Sequence, residues 1–481
     1  MLTSQLGSCA PHRQSRRWGT LASHAMSTGS SSAPPQRPLR VVLFPWLAFG
    51  HLLPHLELAE RLASRGHRVT LVSTPGNVAR LPPPRPAARV DLVSLPLPRV
   101  DGLPDGAEST NSIPHDKHAL LFRAFDGLAA PFAEFLHAAC ADERRRPDWI
   151  LVDVFHHWAA AAAAEHKVPL AVYLPSAAAL ARDPAAAVPR YESERGKAQY
   201  GSDHGGMSIF QRFFFVLERC TLAAMRSCVE WEPEFFPQVA PRFRKPVVPL
   251  GLLPPSPDGG RGVNGEDATM RWLDAQPAGS ALYVALGSEA PLPVEQVHEL
   301  ALGLELAGTR FLWALRKPDG GGELLPPGFQ ERTRGRGLVA MGWVPQVSIL
   351  GHGAVGGFLT HCGQSSFVEG LLFGRPLVLL PIFGDQGSNA RLLEKKKVGL
   401  QVARDEDDGS FDRHGVVKAV RAVMVDEETR GVYVANALEA QKIVADMELH
   451  DRYIDEFVEE LRLHAADGNS ATGTVSAQAE A

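Results

Sequence analysis

Two side chains in the first half of the sequence could carry acid–base chemistry on a bound hydroxyl group. His51 comes shortly after the apolar run 40–45, and Asp153 ends the mostly apolar run 148–153. Imidazole titrates close to neutral pH, so His51 could take up a proton while Asp153 orients the ring and stabilises the imidazolium. The residues alone leave a second interpretation open, in which a surface histidine and a carboxylate at a strand end share no function.

A longer pattern, residues 343–386, predicts a strand, a tight turn and a helix. Residues 356–360 suit a buried strand, and His-Cys-Gly at 361–363 suits the turn. Residues 377–381 predict another strand before a polar loop. Gly363 would let the backbone approach a ligand closely, so we expect a ligand at this turn.

The helix after this turn is predicted over residues 367–373. Ser365 and Ser366 are good N-cap residues, and the spacing of Ser366 and Glu369 fits a capping box. A helix start offers N–H groups and the positive end of the helix dipole. Together with the imidazole of His361 and the serine hydroxyls, it predicts a diphosphate site. Ordinary helix capping by Ser366 is compatible with that site.

Residues 343–386 resemble, over their full length, the nucleotide-sugar signature of plant family-1 glycosyltransferases, from W-x-P-Q through T-H-C-G to the final D-Q. Residues 45–51, 287–289 and 381–386 are similar to the branch that adds a sugar to a sugar already on a terpenoid or flavonoid, and especially to enzymes that branch diterpene glycosides. The resemblance extends over residues 40–463. It implies an α/β fold of the GT-B type, in which two Rossmann-like doubly wound domains face a cleft.

The resemblance also implies an activity. This is the inverting transfer of a sugar, with glucose expected first, from a UDP-sugar to a hydroxyl of a small lipophilic acceptor that already carries a sugar. His51 would be the general base and Asp153 its partner. The residues expected to bind the UDP-sugar are Ser288, Trp343, Val344, Gln346, His361, Gly363, Gln364, Ser365, Ser366, Glu369, Asp385 and Gln386. The aromatic residues expected at the acceptor are Phe49, Phe155 and Phe383.

Individual roles in the donor site follow from the same resemblance. Trp343 would stack on the uracil. Gln346 and Glu369 would bind the ribose, and Asp385 and Gln386 would bind hydroxyls of the sugar. The alternatives are a tryptophan in the core, a glutamate that only caps a helix, and a plain polar turn.

Two neighbouring positions depart from the family pattern. Most members have Trp-Asn where this chain has Gln364 and Ser365. Ser365 can partly replace the asparagine as a short hydrogen-bonding group, whereas Gln364 supplies no indole beside the donor sugar. Two alternatives therefore stay open, a UDP-sugar other than glucose and a protein that binds nucleotide sugars with little or no catalysis.

The residues that carry this chemistry need a scaffold of alternating strands and helices. Residues 40–45 predict a strand, 53–65 a helix and 69–73 the next strand, and this β-α-β order recurs along the chain. Ligands of doubly wound sheets bind beyond the carboxyl ends of the strands, where His51 and Asp153 are expected. The polar stretch 184–208 predicts an irregular, mobile lid over the acceptor.

The chain has 481 residues, which is too long for one hydrophobic core. A stretch rich in proline and glycine before residue 267 predicts a linker. The predicted order is a disordered N-terminal extension (1–38), an acceptor-binding domain (39–252), the linker (253–266), a nucleotide-sugar-binding domain (267–447), a helix (448–464) and a disordered tail (465–481). The resemblance implies that the helix crosses back to the first domain.

Composition argues against several classes of function. The net charge of −5 is unfavourable for nucleic-acid binding, and five widely spaced cysteines predict neither a disulfide framework nor a zinc site. No apolar run reaches transmembrane length. Asp405, Glu406 and Asp407 superficially match the acidic metal-binding triplet of other transferases, but we expect a solvated loop there. The UDP-sugar is thus expected as a substrate, with no metal and no other cofactor.

The first 40 residues leave the subcellular location open. They contain no acidic residue but include Arg13, Arg16, Arg17 and many serines. This composition is compatible with an organelle transit peptide. The alternatives are a disordered tail and an upstream start codon, with Met26 as the real beginning. Because the resembling family is cytosolic, we expect a cytoplasmic protein, working as a monomer.

Overall fold

The computed structural model describes residues 37–114, 117–175, 188–201, 206–256, 268–287, 289, 292–316 and 323–473. These residues form two α/β lobes with one parallel sheet each, which confirms the predicted fold class. The predicted N-terminal extension lies outside the described residues up to position 36, and so do Ser288 and positions 257–267 of the linker region.

The first lobe is built around seven strands. They are β1 (Arg40–Phe44), β2 (Arg68–Ser73), β3 (Val90–Ser94), β4 (Trp149–Asp153), β5 (Leu170–Leu174), β6 (Leu222–Met225) and β7 (Val247–Pro249). The helices described in this part of the chain are α1 (Phe49–Ser64), α2 (Pro75–Arg80), α3 (His118–Asp126), α4 (Ala129–Cys140), α5 (Ala159–Glu165), α6 (Arg190–Gly201), α7 (Ile209–Arg219) and α8 (Phe236–Phe243). The strands pair in parallel in the order 3-2-1-4-5-6-7, so the order reverses between β1 and β4.

The second lobe is built around six strands. They are β8 (Ala281–Ala285), β9 (Arg310–Leu315), β10 (Gly337–Met341), β11 (Val355–Thr360), β12 (Leu377–Leu379) and β13 (Gly399–Gln401). The helices described there are α9 (Ala268–Asp274), α10 (Val294–Ala307), α11 (Phe329–Arg332), α12 (Gln346–Gly351), α13 (Gln364–Leu372), α14 (Gln386–Lys395), α15 (Arg413–Met424), α16 (Glu427–Val444) and α17 (Met447–Gly473). The strand order 10-9-8-11-12-13 reverses between β8 and β11.

Apolar residues fill both faces of each sheet. Every residue of β4 and β5 is buried, as expected for a parallel sheet covered on both sides. None of the helices in the described ranges is both long and apolar enough to span a membrane. Crevices in such sheets open where the strand order reverses, so a ligand site is expected between β1 and β4 and between β8 and β11.

Helix α17 lies against the first lobe, although it ends the described chain. Ile454, Phe457 and Leu461 are fully buried in the same cluster as β1 and α1. The indole of Trp149 donates a hydrogen bond to the backbone oxygen of Leu461 (2.9 Å). The helix continues to Gly473, beyond residue 465, where a disordered tail was predicted to begin. Alanine at the predicted boundary favours continued helix over a break.

The stretch 184–208 is not irregular throughout, because α6 occupies its middle. Glu194 and Lys197 form a pair at helical spacing (2.9 Å), which adds local support. Glu192 binds Arg391 of the second lobe through two hydrogen bonds of 2.6 and 2.8 Å. The backbone N–H of Tyr191 donates to the backbone oxygen of Glu406 (3.2 Å). This helix is therefore held partly by contacts with the second lobe, and no local sequence pattern encodes such contacts.

Candidate active site

His51 and Asp153 meet where the strand order of the first lobe reverses. His51 lies in the first turn of α1, which begins four residues earlier than predicted, and Asp153 ends the neighbouring strand β4. The ring Nδ1 is 2.7 Å from Oδ2 of Asp153. The Asp153 side chain is fully buried and also accepts hydrogen bonds from the backbone N–H of Trp46 (3.2 Å) and of Val154 (2.7 Å). The carboxylate thus fixes the ring and leaves Nε2 for a substrate.

The electrostatics of this pair suit a general base. Burial alone would raise the pKa of Asp153, but the charge and hydrogen bond of His51 outweigh burial and hold that pKa below its usual range. Burial alone would lower the pKa of His51, but Asp153 outweighs it and raises the pKa, with smaller contributions from Glu289 and Asp385 of the second lobe. A quarter of the His51 side chain (24%) is exposed, so the ring remains accessible.

Two nearby histidines are structural. His55 is fully buried, its Nδ1 is 2.9 Å from the backbone oxygen of His51, and its ring packs on Tyr173. Burial lowers the pKa of His55 to about 4 and that of His156, whose ring packs on Phe44 in the core, to about 3. Both rings are therefore neutral at pH 7, and His51 is the one that pairs with the buried carboxylate.

Helix α13 starts at Gln364, directly after the turn that follows β11. Its N-cap is Gly363, and no side chain of the described residues caps it. The predicted N-cap roles of Ser365 and Ser366 are therefore wrong, and so is the predicted capping box with Glu369. Both serines lie inside the first turn, where the N–H groups of a helix have no partner within the helix. Those donors remain suited to an anion.

His361 packs between Gly363 of this turn and Gly287, which follows β8. A Cβ on Gly287, which has a φ of +76°, would lie 2.7 Å from Nε2 of His361, and one on Gly363 would lie 2.5 Å from it. Burial lowers the pKa of His361 to about 4. Its Nδ1 is buried without a hydrogen-bond partner among the described residues. The imidazole is therefore neutral at pH 7 and offers a hydrogen bond but no charge.

Trp343 is not a core tryptophan, because 83% of its surface is exposed. The neighbouring Val344 is buried. Gln346 lies at the start of α12, donates to Oε2 of Glu369 (2.7 Å) and accepts from the hydroxyl of Tyr283 (3.1 Å). Burial raises the pKa of Glu369. The indole of Trp343 is thus open to a ligand, and Gln346 and Glu369 are linked to each other; that these residues bind a nucleoside stays a prediction.

Asp385 and Gln386 stand at the start of α14. Asp385 Oδ2 accepts from the amide of Asn389 (3.2 Å), and the same amide donates to the backbone oxygen of Cys362 (3.0 Å). Gln386 Oε1 accepts from the backbone N–H groups of Ile382 (2.8 Å) and of the next residue. Gln386 therefore holds its own loop with its carbonyl oxygen, and its amide nitrogen is the part that could meet a ligand.

Gln364 and Ser365, the two departures from the family pattern, both contact Arg226 at the end of β6. The Arg226 guanidinium donates to the Ser365 hydroxyl (2.9 Å). The amide of Gln364 donates to the backbone oxygen of Arg226. The site thus has a contact between the lobes at the very positions where its sequence is unusual.

The three acceptor candidates have different surroundings. Phe155 is partly buried, and its ring lies 6.0 Å from that of His51. Phe49 is 8% exposed, belongs to the core, and lies under the guanidinium of Arg80 (4.4 Å). Phe383 lines a surface pocket with Tyr191 of α6. Phe155 is therefore the one that the structure brings to His51, and Phe49 packs in the core instead.

The acidic loop of Asp405, Glu406 and Asp407 is exposed. Asp405 Oδ1 accepts from the backbone N–H groups of Asp407 (2.9 Å) and Asp408 (3.2 Å), and Arg190 of α6 pairs with Asp407 (3.3 Å). In the part of the chain that the structure describes, no group of three or more His, Cys, Asp or Glu side chains could hold a metal ion. The loop is therefore a docking surface for α6.

Sequence reasoning missed three residues at the site. Glu289 binds the hydroxyl of Thr110 from the other lobe and contributes to the field at His51. Asn389 is fully buried and joins the turn to Asp385, and its spacing of four from Asp385 on one helix could have revealed it. Arg226 follows a strand but is far in sequence from Ser365, so no local signal marks it.

Two family models match this chain. The model described as UDP-glucoronosyl and UDP-glucosyl transferase matches residues 268–452, and the model of a glycosyl transferase 4-like domain matches residues 55–223. The first covers the donor-side residues of the second lobe, and the second covers most of the first lobe.

Curated proteins and solved structures give the same result. UDP-glycosyltransferase 91C1 of Arabidopsis thaliana is 40% identical, over 90% of this chain and 98% of its own length. Soyasaponin III rhamnosyltransferase of Glycine max is 37% identical, over 89% of this chain and 96% of its own length. The crystal structure of Arabidopsis thaliana UGT89C1 complexed with UDP-L-rhamnose has a TM-score of 0.73 and 26% identity, and the match covers 89% of this chain and 100% of that one. With a histidine–aspartate pair in one lobe and the nucleotide-sugar signature in the other, the chain belongs to the plant UDP-glycosyltransferases.

Proposed function

We propose that this UDP-glycosyltransferase transfers a sugar, with inversion at the anomeric carbon, to a hydroxyl of a small lipophilic acceptor. The acceptor is a terpenoid or flavonoid glycoside, and the new bond is made to its existing sugar. Glucose is the first expected donor sugar. The enzyme works as a monomer in the cytoplasm and needs no metal and no cofactor besides the UDP-sugar, which is a substrate.

The observation that carries this proposal is that His51 of the first lobe lies close to residues of the second lobe, where the donor is expected to bind. Glu289 and Asp385 of the second lobe are close enough to His51 to influence its protonation. Glu289 is itself tied to the first lobe through Thr110 and the backbone of Phe49. A base in one lobe thus stands opposite the groups that would hold the sugar in the other.

In the proposed reaction, Nε2 of His51 takes the proton of the acceptor hydroxyl as its oxygen attacks the anomeric carbon. Asp153 stabilises the imidazolium that forms. The bond from the anomeric carbon to the UDP oxygen breaks on the opposite face, and UDP leaves with the electron pair. The first turn of α13 stabilises the charge that develops on the diphosphate.

The remaining donor contacts are those that the family resemblance implies. Trp343 stacks on the uracil beside the backbone of Val344, and Gln346 and Glu369 bind the ribose. His361 and the first-turn residues Gly363, Gln364, Ser365 and Ser366 bind the diphosphate, and Ser288, which lies outside the described residues, is expected to bind it too. Asp385 and Gln386 bind the sugar, and Phe155 and Phe383 line the acceptor site.

Rhamnose is the second candidate for the sugar. One relative is named as a rhamnosyltransferase, and one similar structure holds UDP-L-rhamnose. Gln364 in place of the usual tryptophan removes an indole beside the sugar, so the pocket need not share the family's preference. The two candidates differ in their donor and not in the chemistry of His51.

The test is a screen of UDP-glucose, UDP-rhamnose and other UDP-sugars against terpenoid and flavonoid glycosides, followed by mass spectrometry. We expect one added hexose or deoxyhexose with the wild-type protein and no product with the His51→Ala variant. NMR of the product would report the anomeric configuration. A product of retained configuration, or equal turnover by the variant, would refute the proposed mechanism.

A further inference from the structure

Arg226 is a buried cation at the boundary between the lobes. It follows β6, and 3% of its surface is exposed. Its guanidinium donates to the backbone oxygens of Leu252 (2.8 Å) and Leu253 (3.3 Å), and its third hydrogen bond goes to the hydroxyl of Ser365 (2.9 Å). The first two bonds anchor the side chain in its own lobe, and the third reaches the first turn of α13.

The described residues place no carboxylate within 4.0 Å of this guanidinium, whereas most buried arginines here have one. Arg61 pairs with Glu57, and Arg212 pairs with Asp126. A buried charge that no carboxylate contacts is costly, because its hydration is lost and the more distant Glu369 and Glu57 offset only part of that loss, so burial lowers the pKa of Arg226. An anion bound at the start of α13 would supply the missing contact charge, because only the side chain of Ser365 would separate it from Arg226.

The geometry also fixes the role of the Ser365 hydroxyl. A guanidinium can only donate, so Ser365 must accept from Arg226 with a lone pair. The hydroxyl proton must then point away from Arg226. Gln364, which is 6% exposed, donates to the backbone oxygen of Arg226, and its Oε1 is buried without a partner among the described residues. Both unusual residues of this turn are therefore held by one arginine.

We propose that Arg226 is a positioning residue for the diphosphate, which orients Ser365 as a hydrogen-bond donor to it and brings a positive charge from the first lobe. The inference rests on the proposed function, because it requires UDP at this turn. His361, being neutral, supplies no such charge. In most family members an asparagine amide stands at position 365, and here an arginine and a serine together give an equivalent donor.

The experiment compares the binding of UDP and uridine by calorimetry in the full chain. Ser365→Ala should weaken UDP binding about tenfold, as expected for a hydrogen bond to a charged group, Arg226→Met should weaken it more because the positive charge is lost as well, and both should leave uridine binding within about twofold. The double variant should bind UDP about as weakly as Arg226→Met, because without the arginine the Ser365 hydroxyl is no longer oriented towards the diphosphate. Arg226→Lys, which keeps the charge, should recover part of the loss.

Arg375→Met is the matched control. Arg375 also donates to two backbone oxygens, those of Leu350 (2.8 Å) and His352 (3.0 Å), and does so away from the first turn of α13. We expect it to lower the melting temperature without changing the ratio of UDP to uridine affinity. If Arg226→Met does not fold, Ser365→Ala and Arg226→Lys still decide the question.

Three results would overturn the inference alone. They are normal UDP binding by Ser365→Ala, equal weakening of UDP and uridine by Arg226→Met, and additive losses in the double variant. In all three cases the wild-type protein would still bind UDP, and the proposed function would stand. A wild-type protein that bound no UDP would overturn both.

Discussion

His51 and His361 occupy related places in the two lobes, and their pKa values are shifted in opposite directions. His51 lies in the first turn of the helix that follows β1, and His361 directly follows β11, and both strands flank the point where the strand order of their sheet reverses. The pKa of His51 is raised, because Asp153 is 2.7 Å from its ring and outweighs burial. His361 has two glycines around it instead of a carboxylate, and burial lowers its pKa to about 4.

The difference shows that the neighbouring residues, and not the position in the fold, decide what such a histidine can do. A carboxylate within hydrogen-bonding distance gives a ring that can accept a proton and hold the resulting charge. A pocket of glycines gives a compact neutral hydrogen-bonding group. In the proposed mechanism, proton transfer therefore belongs to the first lobe and recognition of the donor to the second.

The largest effect is expected from His51→Gln, because it removes the one of the two histidines that is proposed to take up a proton. Glutamine can replace a hydrogen bond of Nε2 but cannot take up a proton, so kcat should fall about 1,000-fold, within the usual range for a general base. UDP affinity should stay within about twofold. Steady-state kinetics and calorimetry would measure the two quantities.

His352→Gln is the control for this variant. His352 also pairs with an aspartate, Asp274 (3.1 Å), but at the surface of the second lobe. It should retain wild-type activity. Loss of activity of similar size in both variants would show that the His51 effect is not specific to the cleft.

Asp153→Asn would make the environment of His51 more like that of His361. Without the carboxylate, the imidazolium loses its main stabiliser, so the pKa of His51 should fall. Transfer needs the neutral ring, and the wild-type rate should therefore decline as the pH falls through a value above 6.5. In the variant this decline should move to lower pH, and the plateau rate should fall about 100-fold. A profile of kcat/KM against pH would show both changes.

An unchanged position of the acid limb in Asp153→Asn would contradict the assignment of that limb to His51. Glu289 and Asp385 also face this ring, and His55 lies behind it. Glu289→Gln would then be the variant to measure next, because its carboxyl group has a raised pKa and faces His51.

Trp343→Ala tests the proposed recognition of the donor by the second lobe. Loss of stacking on one base should weaken both uridine and UDP about tenfold, because the contact involves only the base. The turnover at saturating donor should stay within about twofold. Met341→Ala, which removes another exposed apolar side chain nearby, is the control and should bind both ligands normally. Weakening of UDP but not of uridine by Trp343→Ala would argue against stacking.

The smallest effect is expected from His361→Gln. Glutamine preserves a neutral hydrogen-bonding group near the place of Nε2, so kcat/KM for the donor should fall only about threefold, and the acid limb should not move. The substitution is the same as in His51→Gln, so the difference between the two losses of activity measures how differently the two imidazole rings act. A loss of 1,000-fold would show that His361 carries charge or a proton in the reaction.

The sequence predicted correctly which residues lie together where the ends of parallel strands position them. His51 and Asp153 are 102 positions apart, yet parallel pairing of β1 and β4 places them side by side, as doubly wound topology predicts. It was a poor guide to helix capping at α13. Ser366 and Glu369 have the right spacing, but Glu369 is already bound to Gln346, which comes from another segment.

Contacts between the lobes could not be predicted. Arg226 and Ser365 are 139 positions apart, and neither belongs to a pattern that points to the other. The helix α6 was missed because its docking partner Arg391 lies in the other lobe. Ionisation was also beyond the sequence, since the neutral state of His361 follows from its burial.

The path of α17 has a consequence for how the chain is made. Residues 454, 457 and 461 complete the core of the first lobe, yet they are synthesised after the whole of the second. A nascent first lobe on the ribosome therefore lacks part of its hydrophobic interior until α17 has been translated. A protein expressed without residues 447–481 should accordingly aggregate or be degraded, even though every side chain proposed to contact donor or acceptor is still present.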